Sequence, residues 1–208
     1  GGWGFAWGAG PNWDDALIET AYQVYRYTGD KTIIQDNLPA IEKYLKYMQS
    51  KRDAEGLFEF GLGDWAQPKH NYRPTTPVQL TDSIKCVDMC FKTAKFAKLV
   101  GKEDLQIYAQ TLGESIRQSI VGKYIRDGKL TTSEQTALAY VLYYHIADEY
   151  KQSLQAQLLQ RVQRDGVFEV GVLGARTLFR VLSEMGESDL AYQLITQDKY
   201  PSYGYHVV

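Results

Sequence analysis

Hydrophobic residues recur at intervals of three and four along most of this chain, which is the spacing of one face of an α-helix. Alternation of apolar and polar residues, the pattern of a strand, is short wherever it occurs. The pattern therefore predicts an all-α chain. Eight helices are expected, at about 14–28, 31–50, 78–100, 103–124, 134–146, 153–162, 173–185 and 188–196.

The first two predicted helices each have an apolar face that is expected to point inward. The first helix stops at Gly29, because glycine readily adopts the left-handed conformation that ends a helix. Its predicted inward positions are Ala16, Leu17, Thr20, Val24 and Tyr27. Those of the second helix are Ile34, Leu38, Ile41, Leu45 and Met48.

The connections between the predicted helices are of two kinds. Tight turns are expected at Gly29, Gly101, Asp148 and Gly186. Longer segments hold Trp13, the Asp64-Trp65 pair, the turn at 124–132, the Phe168-Glu169 pair and Tyr203. Because short links alternate the direction of neighbouring helices, the tight turns share one end and the longer segments share the other. Binding residues are commonly placed on loops above a rigid scaffold, so the end with the longer segments is the predicted functional face.

Four helical hairpins can form an open solenoid or part of a closed α/α toroid. The turns are unevenly spaced, and no sustained repeat of about 34 residues is present, which argues against a regular repeat array. The pattern favours part of a toroid.

Composition and charge limit the classes of molecule that this chain is expected to bind. The chain has 208 residues, of which 44% are hydrophobic and 23% charged, enough for one sizeable core. A net charge of -2 without a basic stripe excludes the usual footprint of nucleic-acid or anionic-membrane binding. There is no apolar run of membrane-spanning length and no leader-peptide pattern, and the compartment stays open. Aromatic residues reach 13%, which suits either a core or carbohydrate binding.

Metal and thiol chemistry are not expected. His70, His145 and His206 are scattered, and no metal-binding spacing occurs, so neither a metal nor another cofactor is predicted. Cys86 and Cys90 lie four residues apart within a helical pattern. Both are predicted to be buried free thiols.

Two segments place a tryptophan beside carboxylates in a loop bounded by Gly and Pro. The first, residues 8–16, contains Trp13, Asp14 and Asp15, and the second, residues 61–68, contains Asp64 and Trp65. An aspartate at a helix start ordinarily caps the free backbone N–H groups, which is the expected role of Asp14. The repetition of the pairing suggests that both loops serve one site.

Residues 10–16, Gly-Pro-Asn-Trp-Asp-Asp-Ala, resemble the GPxWGDA segment of the bacterial α-L-rhamnosidase family. Residues 27–30 resemble the YGD turn of that family, residues 63–68 its GDWxxP loop and residues 200–205 its YPSWGY segment. The four motifs occur in the family's order across nearly the whole chain. The resemblance implies an inverting glycoside hydrolase with an (α/α)6 barrel, whose partner is a rhamnosylated glycoside.

Site residues follow from the resemblance position by position. Trp13 and Trp65 would enclose the deoxy-sugar ring, since indole faces suit an apolar C–H face and a methyl group. Asp15 matches the family's acidic residue, whereas Asp14 replaces a glycine, so which of the two faces the cavity stays open. Tyr203 replaces the usual tryptophan. Asp64 and Phe168 complete the expected substrate-binding set.

The resemblance also implies that this chain lacks the catalytic pair. The family's general acid is a Glu ahead of the GPxWGDA segment, and its general base is a Glu in a GATTxWE motif after YPSWGY; neither motif occurs here. Residues 1–208 are therefore expected to be a single partial barrel domain, truncated at both ends, without catalytic residues and inactive alone. A partial toroid would expose apolar helix faces, which predicts self-association.

Two other functions remain open from the residues. One is a different α/α-toroid carbohydrate enzyme with its own acids among Asp15, Asp64 and Glu169. The other is a non-enzymatic helical scaffold, in which the tryptophans anchor the core and Asp14 and Asp15 are helix caps. Trp3 and Trp7 have no polar companions and are expected to pack rather than bind.

Overall fold

The computed structural model describes residues 10–70 and 73–208. In order along the chain, the helices are α1 Pro11–Asp14, α2 Ala16–Thr28, α3 Thr32–Gln49, α4 Val78–Leu99, α5 Glu103–Tyr124, α6 Gln135–Tyr143, α7 Lys151–Asp165, α8 Val172–Glu184 and α9 Ser188–Thr196. An antiparallel pair of two-residue strands, β1 Ile125–Arg126 and β2 Lys129–Leu130, follows α5. Single turns of 3-10 helix lie at Asp148–Tyr150 and Gly204–His206.

The predicted all-α class is confirmed, and α2 to α9 correspond to the eight predicted helices. The predicted turns at Gly29, Gly101 and Gly186 are confirmed, and all three glycines have positive φ angles of 71°, 71° and 83°. This backbone conformation is disfavoured for residues with a Cβ atom, which explains why glycine ends these helices.

The fifth predicted helix is shorter than expected. The pattern predicts a helix over 134–146, but α6 ends at Tyr143, and a turn follows in which His145 has a φ of 55°. A left-handed residue cannot continue an α-helix, so the Tyr-rich apolar pattern runs past the end of the helix itself. The expected joint at Asp148 is a turn of 3-10 helix that leads into α7.

The predicted inward face of α2 is wrong. Ile18 and Ala21 are the buried residues of this helix, whereas Ala16, Thr20, Val24 and Tyr27 are exposed and Leu17 is half-buried. Apolar residues occupy more than one side of α2, so spacing alone does not decide which side packs. The prediction for α3 is confirmed, because its buried residues are the five that were expected.

The described chain divides into two compact units. Unit 1 comprises Gly1–Gly61 and Asp82–Ile120, and unit 2 comprises Leu62–Thr81 and Val121–Val208. In unit 1, α2 packs on α3, and the middle of α4 is buried on all sides. Cys86 and Cys90 are buried there as free thiols, as predicted.

Unit 2 is organised around α6, whose residues Gln135–Leu142 are all buried. Helices α7 and α8 both pack against α6, and α9 packs against α8. Within the described ranges, none of the helices has the length and apolar character needed to cross a bilayer.

Candidate functional site

The segment that bears Trp13 is a tight turn in unit 1. Gly10 has a φ of 80°, and a Cβ atom on it would lie 2.2 Å from the Cα of Gly61, so only glycine fits. The carbonyl oxygen of Gly10 accepts hydrogen bonds from the amides of Trp13 at 3.0 Å and Asp14 at 2.9 Å. Pro11 opens α1, where a missing N–H has no cost. Trp13 is half-buried on this constrained turn.

Asp14 does not act as the expected helix cap. Its Oδ2 atom accepts a hydrogen bond from the hydroxyl of Tyr44 on α3 at 3.0 Å, and neither α1 nor α2 has a side-chain cap. Burial and the neighbouring carboxylate raise the pKa of Tyr44. The tertiary contact with Tyr44 replaces the local capping contact.

Asp15 is buried and paired with a lysine. The Nζ atom of Lys85 on α4 lies 2.5 Å from Oδ2 of Asp15, and the two groups form a buried ion pair. Lys85 is only 2% exposed and also contacts Asp88 at 3.0 Å. Asp88 in turn contacts Lys92 at 2.8 Å. The Asp15 carboxylate is therefore held inside a charge network of unit 1.

Asp82 is a buried carboxylate of the same region that the sequence pattern does not single out. Its Oδ1 accepts a hydrogen bond from Nδ2 of Asn12 at 3.0 Å, and its Oδ2 accepts from the amides of Phe60 at 3.0 Å and Gly61 at 2.7 Å. Burial outweighs these hydrogen bonds and raises the pKa of Asp82 to about 6. The available sequence signal for Asp82 and Lys85 is weak: both are charged residues within a helix that is otherwise apolar at its centre.

Asp64 is fully buried in unit 2. Its carboxylate accepts hydrogen bonds from Oγ1 of Thr136 at 2.5 Å and from the amides of Gly171 at 2.8 Å, Leu173 at 2.9 Å and Gly174 at 3.1 Å. These amides belong to the N-terminus of α8, whose helix dipole also favours a negative charge. Asp64 thus caps a helix that begins more than a hundred residues later in the chain.

Trp65 follows directly and is 43% exposed. Its carbonyl oxygen accepts a hydrogen bond from the amide of Val172 at 2.9 Å, and its amide donates to the carbonyl of Gly63 at 2.9 Å. A Cβ atom on Gly171 would lie 2.3 Å from the Trp65 carbonyl oxygen, so the close approach requires glycine. The Trp65 backbone is fixed on α8 while its indole is presented to solvent.

Phe168 and Tyr203 form an aromatic contact in the same unit. Their ring centroids lie 5.3 Å apart, and Phe168 also packs edge-on against Phe179 of α8 at 5.4 Å. Phe168 is buried, whereas Tyr203 is 53% exposed. Tyr203 therefore offers an aromatic surface, and Phe168 supports it from below.

Glu169, a candidate acid of the alternative enzyme, is held by two cations. Lys69 Nζ lies 2.7 Å from its Oε1, and Arg161 Nη2 lies 3.9 Å from its Oε2. Two buried glutamines, which the sequence pattern does not indicate, fix its backbone: Gln67 donates to its carbonyl at 3.1 Å, and its amide donates to Gln135 at 3.0 Å.

The six expected binding residues are divided between the units. Trp13 and Asp15 belong to unit 1, and Asp64, Trp65, Phe168 and Tyr203 belong to unit 2. Trp3 and Trp7 lie outside the described residues.

Two cavities in the described part of the chain are lined by other residues. A groove of about 960 Å³ in unit 1 lies between α3 and the turn at Gly101, and none of the six lines it. A cavity of about 360 Å³ in unit 2 is lined by tyrosines of α6 together with Arg176 and Arg180 of α8. Among the six residues, Trp65 and Tyr203 present exposed aromatic rings.

The model of the bacterial alpha-L-rhamnosidase 6 hairpin glycosidase domain matches residues 3–208. The chain belongs to this family. Its helical hairpins are accordingly part of a six-hairpin glycosidase domain, as the resemblance implied.

Proteins with similar sequences are also rhamnosidases. An alpha-L-rhamnosidase of Formosa agariphila is 27% identical over 202 residues, which cover 94% of this chain and 22% of that protein. An alpha-L-rhamnosidase of an Alteromonas species is 29% identical over 210 residues. The chain thus spans about a fifth of the length of these rhamnosidases.

Solved rhamnosidase structures share the fold. The alpha-L-rhamnosidase of Dictyoglumus thermophilum superposes with a TM-score of 0.89 at 26% identity, covering 97% of this chain and 24% of that one. The Streptomyces avermitilis alpha-L-rhamnosidase, solved in complex with L-rhamnose, gives a TM-score of 0.84 at 25% identity, with 97% and 20% covered.

Proposed function

We propose that this chain is the sugar-binding part of the catalytic domain of an α-L-rhamnosidase that removes terminal α-L-rhamnose from glycosides or polysaccharides by inverting hydrolysis. The observation that carries the proposal is the match of residues 3–208 to this glycosidase family. The exposed indole of Trp65 on a rigid backbone supports it, because sugar-binding aromatics must present a face without moving.

Three of the six residues are proposed to contact the sugar, and the other three to hold those residues in position. Trp13 and Trp65 stack on the apolar face and the methyl group of rhamnose, and Tyr203 forms a further aromatic wall. Phe168 lies beneath Tyr203 and sets the position of its ring. Asp64 belongs to the site by holding the segment of Trp65 against α8, and Asp15 by anchoring the segment of Trp13.

The acid and the base of the reaction are proposed to come from elsewhere in the protein. Inverting hydrolysis needs one carboxyl that protonates the leaving oxygen and one that activates water, about 6.5 to 9.5 Å apart. Asp15 and Glu169 are engaged in ion pairs, and Asp64 accepts four hydrogen bonds. Their geometry therefore favours the family's two Glu residues over an acid within this chain.

A comparison of two proteins tests the proposal. The full-length protein should hydrolyse an aryl α-L-rhamnoside, release β-L-rhamnose first by NMR, and act poorly on the aryl α-L-mannoside, in which a hydroxymethyl group replaces the methyl group. The 208-residue chain alone should be inactive. Hydrolysis of the aryl rhamnoside by this chain alone would instead favour the alternative enzyme, which has its own acids in this chain.

A further inference from the structure

Helix α4 places two buried charged residues on one side of unit 1. Asp82 is 0% exposed and Lys85 is 2% exposed. Residues three apart on a helix lie on the same face, so both side chains project toward the same neighbour. Burying two charged groups is costly, and such groups persist where they hold specific partners.

Both side chains hold the turn that carries Trp13. Asp82 accepts the hydrogen bond from Asn12 Nδ2 at 3.0 Å, one residue before the indole. Lys85 pairs with Asp15 at 2.5 Å, two residues after it. Asn12 and Asp15 are themselves buried, so water does not compete for these contacts. One face of α4 therefore contacts the turn both immediately before and shortly after Trp13, through Asn12 and Asp15.

Asp82 also fixes the neighbouring segment. Its second oxygen accepts the amides of Phe60 and Gly61, and Gly61 is the residue whose backbone touches Gly10. A Cβ atom on Gly61 would lie 2.6 Å from the Asp82 carboxylate. One carboxylate therefore joins the segment of Phe60 and Gly61 to the turn that carries Trp13.

We propose that Asp82 and Lys85 are positioning residues for Trp13, which hold its turn in the geometry that binds the sugar. The effect on binding rests on the proposed function, whereas the effect on the orientation of Trp13 does not. An apolar pair at these positions could pack well, but it would remove the acceptor of the Asn12 Nδ2 hydrogen bond and the cation beside the Asp15 carboxylate.

The test uses the full-length protein labelled with 5-fluorotryptophan, in which the Trp13 resonance is assigned by Trp13→Phe. The variants are Asp82→Asn and Lys85→Met, and the control is Asp36→Asn, which removes an exposed carboxylate of α3 in the same unit. Both variants should shift or broaden the Trp13 fluorine resonance, and the control should not. KM for an aryl α-L-rhamnoside should rise about tenfold while kcat changes little, because ground-state binding is what is lost.

A second variant keeps the test decisive if the first one does not fold. If Lys85→Met does not fold by circular dichroism, the double variant Asp15→Asn, Lys85→Met removes both charges and should fold while still moving the Trp13 resonance.

An unchanged Trp13 resonance in the folded variants would overturn the proposal, whatever the activity. A moved resonance with an unchanged KM would overturn the role in sugar binding. If the wild-type protein hydrolyses no rhamnoside, the proposed function fails, and the resonance still decides the positioning role.

Discussion

The amide of Gly171 donates a hydrogen bond at 2.8 Å to the carboxylate of Asp64. Asp64 immediately precedes Trp65, and Gly171 immediately precedes α8. This contact joins the loop that presents an exposed indole to the start of α8. The loop gains rigidity from the helix, and the helix gains a charged cap from the loop.

Replacing Asp64 by asparagine should destabilise the chain strongly. Asparagine keeps the shape but turns an amide group toward the N–H donors of α8, so buried hydrogen bonds to a charged acceptor are lost. The expected decrease in the free energy of unfolding is about 3 kcal/mol, measured by urea denaturation. Asp198→Asn, at an exposed position of unit 2, should change it by less than about 0.5 kcal/mol. Equal effects of the two substitutions would contradict the capping role.

Two glycine substitutions separate close packing from helix propensity. A Cβ atom on Gly174 would lie 2.2 Å from Oγ1 of Thr136, whereas one on Gly122 would meet no atom within 4 Å. Gly174→Ala should therefore lower the free energy of unfolding by about 2 kcal/mol or more. Gly122→Ala, inside α5, should raise it by about 0.5 to 1 kcal/mol. Thermal or urea unfolding measures both, and a stabilising Gly174→Ala would show that α8 lies farther from α6.

The free energy of unfolding should depend on pH through Asp82. Burial raises its pKa to about 6 from an ordinary 3.8, so the folded state binds the proton more tightly than the unfolded chain. The stabilising contribution of protonated Asp82 is complete below pH 3.8 and is lost as the pH rises through about 6. Asn12 and the amides of Phe60 and Gly61 oppose this shift in pKa, and Glu59 adds to it.

Asp82→Asn isolates this dependence, because asparagine does not titrate. The stability of the wild type relative to Asp82→Asn should fall by about 2 kcal/mol between pH 4 and pH 7. Urea unfolding at several pH values gives this difference. A difference that is flat over this range, or that grows with pH, would show that Asp82 is ionised normally in the folded chain.

The sequence is sufficient to predict most helix boundaries but not the side on which every helix packs. Helices stop at Gly29, Gly101 and Gly186 because the backbone needs a left-handed residue there, a local requirement that is visible in the sequence. The face of α2 depends on which of its apolar stripes meets α3, and that choice is made by tertiary packing. The sequence pattern does not indicate the end of α6, because His145 adopts a left-handed conformation without being glycine.

The sequence motifs single out candidate site residues but not the residues that hold them in place. The motifs indicate Trp13, Asp15, Asp64 and Trp65, but the partner of Asp64 lies 107 residues away, and the sequence gives no pairing. The partner of Asp15 is similarly distant, because Lys85 belongs to another helix. Long-range partners of buried charges follow from tertiary packing, so the sequence alone does not give them.

Binding of L-rhamnose to the full-length protein and its Trp65→Ala variant, measured by calorimetry, tests the central claim most directly. Trp65→Ala should weaken binding about 30-fold, equivalent to about 2 kcal/mol, because the stacked apolar face is lost, and Trp65→Phe should lose less. Trp13→Ala should have an effect similar to that of Trp65→Ala. Tyr192→Ala, which removes an exposed aromatic ring of α9, should leave binding unchanged. Undiminished rhamnose binding in both tryptophan-to-alanine variants would contradict the claim that this chain provides the sugar-binding surface.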